Sequence, residues 1–308
     1  MSVLVVLGAV LVGCSGGGAD TARTHDQGRT PSPPSAPGGP SPVPTNASPA
    51  PAGPSPLRQP PTMAPGPGGL TPVFVRGPAS SAKTVALTFD ADMTADQGAR
   101  AAGGERFDNP ALIATLRRLK VDSTIFMTGR WAEEYPDQAK AIGTDPRFEI
   151  ANHSYSHHSF STPCYGLPAL GRQDMAADVR RAFDAFRTAG ARNVVPYFRF
   201  PGGCYDDAAL HALAPAGVTA VQWDVVSGDA FATDADAVAE QVLEGVRPGS
   251  LVVMHCTRSA APVTEEAIRK IVPALRERGY RFVKVSELMA TSRVPSGPGG
   301  VRAPEGRP

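Results

Sequence analysis

Short apolar runs alternate with amphipathic stretches along the middle of the chain, and the two patterns predict strands and helices in turn. The runs typical of buried strands are Val85–Phe89, Ser123–Met127, Phe148–Ala151, Tyr197–Phe200, Thr219–Val225, Ser250–Met254 and Arg281–Val285. The stretches with helical spacing are Pro110–Leu119, Asp174–Arg187, Asp234–Val246 and Glu265–Arg278. Asn109 before Pro110 favours a helix start, and Gly279 favours a helix end. This alternation predicts a parallel sheet.

The number of strand–helix units separates two parallel architectures. Roughly seven or eight parallel strands in about 220 residues favour an α/β fold in which a distorted or incomplete (β/α) barrel forms a single catalytic domain. An open, doubly wound sheet is the alternative. No GxGxxG or P-loop pattern follows the first strand, which argues against nucleotide binding.

The two ends of the chain differ in composition from the body. The chain has 32 prolines and 32 glycines among 308 residues, and many of them fall in residues 15–72 and 291–308. Segments of this kind bury too little apolar surface to offset the entropy of ordering, so they predict a disordered tether and a disordered tail. Residues 73–290 are then the predicted folded domain.

The first residues have the pattern of an export signal. Val3–Val12 is apolar throughout and shorter than the about 20 residues that cross a bilayer, as in a signal-peptide core. Leu11–Cys14 resembles a lipobox, so residues 1–14 are expected to be a lipoprotein-type signal peptide ending at an acylated Cys14. The protein would then be extracytoplasmic, anchored by lipid at the membrane or cell wall. No Lys or Arg precedes the run, which keeps open a plain cleaved signal with secretion or an apolar terminus without this role.

The net charge bears on possible binding partners, and the cysteines bear on disulfide pairing. The formal net charge is +1 and no block of basic residues occurs, which argues against nucleic acid; nothing in the sequence indicates an obligate protein partner. Beyond Cys14 the cysteines are Cys164, Cys204 and Cys256. A disulfide is compatible with an oxidising compartment. We expect Cys164 to pair with Cys204, although the sequence alone leaves the pairing open.

Ionisable residues follow five of the predicted strands. They are Asp90 and Asp92, His153 and His157, Arg199, Asp224 and Asp229, and His255. The carboxyl ends of parallel strands meet at one edge of the sheet, where active sites of such folds lie. The pattern therefore predicts an enzyme site at this edge.

The spacing of His153 and His157 predicts a metal site. Two imidazoles four residues apart can converge on one cation, and an Asp from another strand completes a three-ligand site with an open position for water. Zinc is the simplest ion for this set, and Co, Mn and Ni also accept it. Asp90 and Asp92 can divide the work between ligand and proton acceptor. A histidine-rich loop without metal and a solvated Asp turn are the alternatives.

Three further residues have both a structural and a functional interpretation. His255 ends an apolar strand, where it is either a core histidine or a general acid for a leaving amine. Arg199 either pairs with a surface carboxylate or orients a catalytic Asp. Trp223 either fills the core or lines a sugar site.

Five segments together resemble the motifs of the polysaccharide deacetylase family, carbohydrate esterase family 4, which has a NodB-homology domain. They occur in the family's order between about residues 84 and 288: Leu87–Asp92, Asn152–His157, Arg199–Gly203, Trp223–Asp229 and Gly249–His255. The resemblance implies Asp90 as general base and His255 as general acid, with Arg199 positioning Asp90 and Asp229 tuning His255. It also implies that His153 and His157 bind the metal with an Asp, and that the backbone N–H near Gly202 stabilises the oxyanion.

The motifs also depart from the family pattern. Ala91 separates two aspartates that are usually adjacent, so Asp92 must be the metal ligand from one position further on. Alternation along a strand places Asp90 and Asp92 on one face, which makes this plausible. Ala230 stands where the fourth motif usually has Trp, and Gly202 replaces an aromatic residue of the third.

The function expected from these features is metal-dependent N-deacetylation of a cell-envelope glycan, with an N-acetylated polysaccharide as the partner and peptidoglycan favoured because a lipid-anchored tether reaches it. One alternative is an esterase or amidase of the same fold acting on another acyl substrate, such as O-acetylated xylan. A second is a catalytically dead glycan-binding lipoprotein, and a third is a structural wall-tethered protein.

Overall fold

The computed structural model describes residues 59–79 and 82–292. The predicted signal peptide, Cys14, the tether up to residue 58 and the tail from residue 293 lie outside these residues. The strands are β1 (Val73–Phe74), β2 (Thr84–Ala91), β3 (Ser123–Met127), β4 (Phe148–Asn152), β5 (Val194–Phe198), β6 (Thr219–Val221), β7 (Val225–Val226), β8 (Ser250–His255) and β9 (Arg281–Phe282). The helices are α1 (Gly98–Ala102), α2 (Pro110–Arg118), α3 (Gly129–Glu134), α4 (Pro136–Gly143), α5 (Met175–Thr188), α6 (Asp207–Leu213), α7 (Ala235–Gly245), α8 (Thr264–Glu277) and α9 (Val285–Thr291).

The strands form one parallel sheet in the order β1-β6-β5-β4-β3-β2-β8-β7, and β9 pairs with β2. β6 and β7 lie near opposite ends of this order, yet only residues 222–224 separate them in the chain. The sheet must therefore curve so that its two ends approach each other without pairing. This is the predicted incomplete (β/α) barrel, and the prediction of fold class is confirmed.

Alternating residues of β2 face two different cores. Val85, Leu87, Phe89 and Ala91 belong to the large outer cluster between the sheet and its helices. Ala86 belongs to a smaller cluster inside the barrel, with residues of β3, β4, β5 and β8. Because side chains alternate along a strand, Thr88 and Asp90 lie on the inner side with Ala86. β2 thus delivers Asp90 to the open carboxyl end of the barrel interior.

Three predicted strands differ from the structure by more than one or two residues at an end. The fourth begins at Val194 and ends at Phe198, because Pro201–Gly203 form a 3-10 turn directly after it. The fifth run, Thr219–Val225, splits into β6 and β7. Its first part pairs with β5, and its last part, from Val225, pairs with β8. The seventh keeps only Arg281–Phe282 as strand, and Val285 begins α9.

The folded contacts begin before residue 73. The Tyr197 hydroxyl donates to the Pro61 carbonyl at 2.8 Å, and the Met63 N–H donates to Thr219 Oγ1 at 3.1 Å. Thr71 is buried and donates to the Leu210 carbonyl. Residues 59–72, which composition assigned to the tether, therefore pack against the β5–β6 side of the domain. Among the described residues, no helix has the length and apolarity needed to cross a membrane.

Candidate active site

The predicted site residues converge at the carboxyl edge of the sheet. Asp90 and His255 are register partners on the adjacent strands β2 and β8. His153 follows β4 directly, and its N–H donates to the Met127 carbonyl at the end of β3. Arg199 follows β5, and its N–H donates to the Asn152 carbonyl. The clustering predicted from the strand ends is thus present in the structure.

Asp92, His153 and His157 form a group with the composition of a metal site. One ligand atom from each lies within 4.8 Å of the others. Asp92 Oδ1 is buried without a hydrogen-bond partner among the described residues, although buried carboxylate oxygens are normally satisfied. Ala91 faces the outer core, so position 91 is directed away from this group. Alternation therefore explains why the second aspartate stands at position 92.

The two histidines are set up as ligands in different ways, one by a hydrogen bond and the other by burial. His153 Nδ1 lies 3.0 Å from the Arg199 carbonyl, which accepts a hydrogen bond and so places the proton on Nδ1. Nε2 is then left with its lone pair toward the site, an arrangement typical of metal-binding histidines. Burial lowers the pKa of His157 well below its ordinary value, and the neighbouring imidazoles lower it further. His157 is therefore neutral and able to ligate.

The loop that carries the histidines is fixed by side-chain hydrogen bonds. The Asn152 side chain accepts from the Ser154 N–H, and Ser154 Oγ accepts from the His157 N–H at 2.8 Å. Ser154 and His157 have φ angles of 69° and 58°, a region that non-glycine residues seldom occupy. The Tyr155 N–H donates to Asp178 Oδ1 at 2.7 Å. These bonds hold a strained loop in one conformation.

Arg199 holds Asp90 in place from inside the barrel. Its Nη1 donates to Asp90 Oδ1 at 2.6 Å and its Nη2 donates to Thr88 Oγ1 at 2.8 Å. The guanidinium lies 3.9 Å from the centre of the Phe126 ring, and Arg199 has no exposed surface. Burial lowers the pKa of Arg199, which the charge of Asp90 opposes. The second oxygen of Asp90, Oδ2, lies 3.8 Å from His153 Nε2 and faces the group formed by Asp92, His153 and His157.

Asp229 holds His255. Its Oδ1 accepts from His255 Nδ1 at 2.8 Å, and its Oδ2 accepts from the His255 N–H and from Thr264 Oγ1, each at 2.7 Å. Burial opposes the charged imidazolium, but the hydrogen bond and charge of Asp229, with the charges of Asp92 and Asp90, raise the pKa of His255 to about 10. His255 is thus protonated at neutral pH. Its Nε2 is the nitrogen left for a substrate.

Asp224 lies away from this site. Its carboxylate accepts from the Leu251 N–H at 2.6 Å and from Ser250 Oγ at 2.9 Å, at the amino end of β8. Its role is to join β7 to β8. The expectation that it belongs to the active edge was wrong, because the fifth run splits and turns back before Val225.

A cavity of about 490 Å³ opens above these groups. Gly202, Gly203 and Trp223 line it, as do Asp90, Asp92, His153, His157 and His255. A Cβ on Gly203 would lie 2.5 Å from Trp223 Cη2, and a Cβ on Gly202 would lie 2.7 Å from Cys164 Sγ. Cys164 and Cys204 form the expected disulfide, and Cys256 is free and buried. The disulfide thus occupies the space next to Gly202, where the third motif usually has an aromatic residue.

Sequence reasoning missed part of the cavity wall. The lining residues that the sequence did not single out are Tyr165, Leu167, Val226, Phe231, Val253 and Ala260; Ala230, singled out as a departure in the fourth motif, also lines the cavity. Tyr165 and Phe231 lie in loops without hydrophobic periodicity, so no strand or helix pattern marks them. Two sequence features could have drawn attention to them: Tyr165 directly follows Cys164, and Phe231 directly follows Ala230, the altered position of the fourth motif.

Comparisons with known proteins identify the relatives of this chain. The polysaccharide deacetylase family model matches residues 77–221. A chitooligosaccharide deacetylase of Sinorhizobium fredii is 30% identical over 181 residues, which cover 56% of this chain and 80% of that protein. A peptidoglycan-N-acetylglucosamine deacetylase of Bacillus cereus is 27% identical over 219 residues, 70% of this chain and 72% of that protein.

A solved structure gives the same fold. The wild-type carbohydrate esterase family 4 pseudoenzyme from Bacillus anthracis superposes with a TM-score of 0.59 and 25% identity, covering 75% of this chain and 72% of that one. The family model, the relatives and the solved structure thus all match the same family. The chain therefore belongs to the polysaccharide deacetylase family, carbohydrate esterase family 4.

Proposed function

We propose that this protein is a metal-dependent N-deacetylase that acts on a cell-envelope glycan, most directly peptidoglycan. The observation that carries the proposal is the pairing of Asp90 with His255 on adjacent strands, directly beside Asp92, His153 and His157. Relatives that deacetylate chitooligosaccharides or the N-acetylglucosamine of peptidoglycan support an acetamide substrate.

Asp92, His153 and His157 would hold one divalent ion. The unpartnered Asp92 oxygen, the free Nε2 of His153 and the neutral His157 fit such an ion, and zinc is the ion that two imidazoles and one carboxylate favour most simply. When bound, the ion supplies a Lewis acid that polarises the acetamide carbonyl and acidifies water.

Asp90 accepts the proton of the attacking water. Arg199 fixes one carboxylate oxygen, and the other faces the cavity beside His153. The fixed oxygen limits rotation of the carboxylate, so the base is already oriented when substrate arrives. Arg199 acts through Asp90 and is a positioning residue.

His255 gives a proton to the leaving nitrogen. Asp229 occupies Nδ1, so Nε2–H is directed to the cavity, and the raised pKa keeps this proton in place at neutral pH. Water adds to the acetamide carbon, the C–N bond breaks, and the nitrogen leaves as an amine with the proton from His255. The products are acetate and a free amino sugar. The backbone near Gly202 and the ring of Trp223 would contact the acetyl group and the sugar.

The proposed location of the protein rests on the sequence alone. A lipid anchor at Cys14 and a tether of Pro, Gly and Ser would keep the domain outside the cytoplasm and within reach of the wall. A plain secreted form is the alternative.

A catalytically dead glycan-binding protein is the second candidate, because a pseudoenzyme is among the similar structures. Against it, every acid, base and ligand position required here is occupied by a side chain of the right type. An esterase acting on O-acetylated xylan is the third candidate.

Product analysis separates these candidates. The full chain, loaded with zinc, is incubated with peptidoglycan, with N-acetylglucosamine oligomers and with O-acetylated xylan. We expect acetate together with an equal amount of free amine from one of the first two. Acetate with free hydroxyl from xylan alone would indicate an esterase, and binding of glycan without acetate from any substrate would indicate a dead binding protein.

A further inference from the structure

Two exposed aromatic side chains line the opening of the active-site cavity. Tyr165 is 89% exposed and Phe231 is 82% exposed, and both belong to the cavity lining. Their φ angles are 48° and 59°, a region in which bulky residues are rare. Neither ring contributes to a core, so folding does not explain two strained aromatic residues at one opening. Strain of this kind concentrates where ligands bind.

Tyr165 is fixed by the disulfide. It follows Cys164, whose partner Cys204 ends the turn at Gly202 and Gly203. A Cβ on Gly202 would lie 3.3 Å from Tyr165 Cδ2, so the ring lies against this turn. The Leu167 N–H donates to the Cys164 carbonyl at 2.8 Å and closes the loop around Tyr165.

Phe231 is fixed on the other side of the cavity. Its N–H donates to the Ala260 carbonyl at 2.6 Å, and it lies two residues after the buried Asp229. Its loop follows β7, whereas the Gly202 turn follows β5. In the sheet order β5 and β7 lie on opposite sides of β2 and β8, which carry Asp90 and His255. The two rings therefore flank the reacting groups.

The cavity between the rings suits a neutral ligand. Within the described residues its lining contains no lysine or arginine, and its carboxylates, Asp90 and Asp92, lie with the metal group. The C–H face of a pyranose ring is apolar and carries partial positive charge, which matches the negative face of an aromatic ring. His255 is held by Asp229 and directed to the reacting bond, so an anionic sugar ring would find no lysine or arginine to pair with in the described lining.

We propose that Tyr165 and Phe231 form an aromatic clamp that binds neutral N-acetylhexosamine rings on both sides of the acetamide to be hydrolysed, with the Cys164–Cys204 disulfide holding Tyr165 in place. The identity of the bound sugar rests on the proposed function. The clamp explains how a site with Ala230 in place of the usual Trp keeps an aromatic wall.

Binding without turnover tests the clamp. Calorimetry measures the affinity of the chelator-treated full chain for N-acetylglucosamine pentamer. Because one tenfold change in affinity corresponds to about 1.4 kcal/mol, ring contacts of ordinary strength predict roughly threefold to tenfold weaker binding for Tyr165→Ala and for Phe231→Ala. The double variant is expected to bind about tenfold to a hundredfold more weakly than the wild type.

Matched variants separate the rings from general damage. Tyr165→Phe keeps the ring and is expected to bind within about twofold of the wild type. Tyr205→Ala removes a partly exposed tyrosine outside the cavity lining and is expected to leave affinity unchanged. Removing the disulfide with Cys164→Ser and Cys204→Ser is expected to lower the affinity for the pentamer. Adding Tyr165→Ala to this double-serine variant should lower the affinity by a smaller factor than Tyr165→Ala does in the disulfide-bonded protein. Thermal unfolding confirms that each variant is folded.

The outcomes separate the clamp from the deacetylase. Weaker binding of the pentamer by the double variant supports the clamp. If the zinc-loaded wild type releases no acetate, that result overturns only the proposed function. Acetate release with the same KM in the wild type and the double variant overturns the clamp and leaves the deacetylase standing. Equal affinity of the wild type and the double variant for the pentamer also overturns the clamp.

Discussion

Removing one partner of the ion pair between Arg199 and Asp90 should be among the most destabilising substitutions in this domain. Arg199 has no exposed surface and Asp90 is 4% exposed, so both charges are removed from water. Breaking a buried pair by removing one partner costs about 3–5 kcal/mol, because the other charge is left buried and unpaired. Arg199→Met keeps an apolar chain against Phe126 and removes only the charge and its hydrogen bonds.

The expected effect is large enough to measure in either of two ways. For a domain of about 220 residues, 1 kcal/mol corresponds to about 2–4 °C in Tm. Arg199→Met should therefore lower Tm by about 6–20 °C. In urea, Cm should fall with an unchanged slope, since the same surface is exposed on unfolding.

A double-mutant cycle isolates the pair. The double variant Asp90→Asn/Arg199→Met lacks both charges. The free energy of unfolding that it loses should be at least about 2 kcal/mol smaller than the sum of the losses measured for Asp90→Asn and Arg199→Met separately. The matched control is Arg187 with Asp184, an ion pair at 2.5 Å with side chains 75% and 63% exposed. There Arg187→Met should cost less than about 1 kcal/mol. All proteins are treated with chelator so that metal binding does not contribute.

Two results would refute this reasoning. One is a cost for Arg199→Met that equals the cost for Arg187→Met. The other is strict additivity of Asp90→Asn and Arg199→Met. Either would mean that burial does not strengthen this pair.

Three further predictions follow from the same geometry. Asp229→Asn removes the partner that raises the pKa of His255 to about 10 from an ordinary 6.5. Wild-type stability from this group is fully present below pH 6.5 and is lost as pH rises through about 10, so the variant should be less stable than the wild type below pH 6.5, and the difference should shrink as pH rises to about 10. Its kcat should fall by about a hundredfold or more, with the alkaline limb shifted to lower pH, and an unchanged pH–rate profile would argue against His255 as the acid. His157→Gln should weaken zinc binding at least about tenfold in a competitive chelator titration while leaving the fold intact by circular dichroism, and equal affinity would exclude His157 as a ligand. Gly203→Ala places a Cβ against Trp223 at a φ of 74° and should lower Tm and raise KM, whereas the exposed Gly217→Ala, also at positive φ but with open space around its Cβ, should affect Tm alone.

The sequence predicted that the candidate site residues lie close together, because each of them ends or follows a regular strand. Asp90, His153, Arg199 and His255 all end or directly follow strands with clear apolar runs, and the parallel sheet brings such ends together. Alternation along β2 also placed Asp92, rather than residue 91, on the face of Asp90. Local patterns were sufficient wherever a side chain's direction is fixed by its own strand.

Other features depend on contacts that no local pattern encodes. Thr219–Val225 has the composition of one strand, but its two ends pair with β5 and with β8, which lie in different parts of the curved sheet. α3 and α4 are too short for helical spacing to stand out, although Thr128 caps α3 and Pro136 begins α4. Tyr165 and Phe231 reach the cavity through a disulfide and a loop hydrogen bond. The acylation of Cys14 and the disorder of the tether up to residue 58 stay predictions.

Metal-dependent acetate release tests the central claim most directly. The full chain is stripped with chelator and titrated with zinc, while acetate and free amine from N-acetylglucosamine oligomers and from peptidoglycan are measured together with bound zinc. We predict that release rises with zinc to saturation at one ion per chain, and that Asp90→Asn binds zinc equally but releases no acetate. One bound zinc per chain without acetate from either substrate, or equal release from Asp90→Asn, would contradict the account.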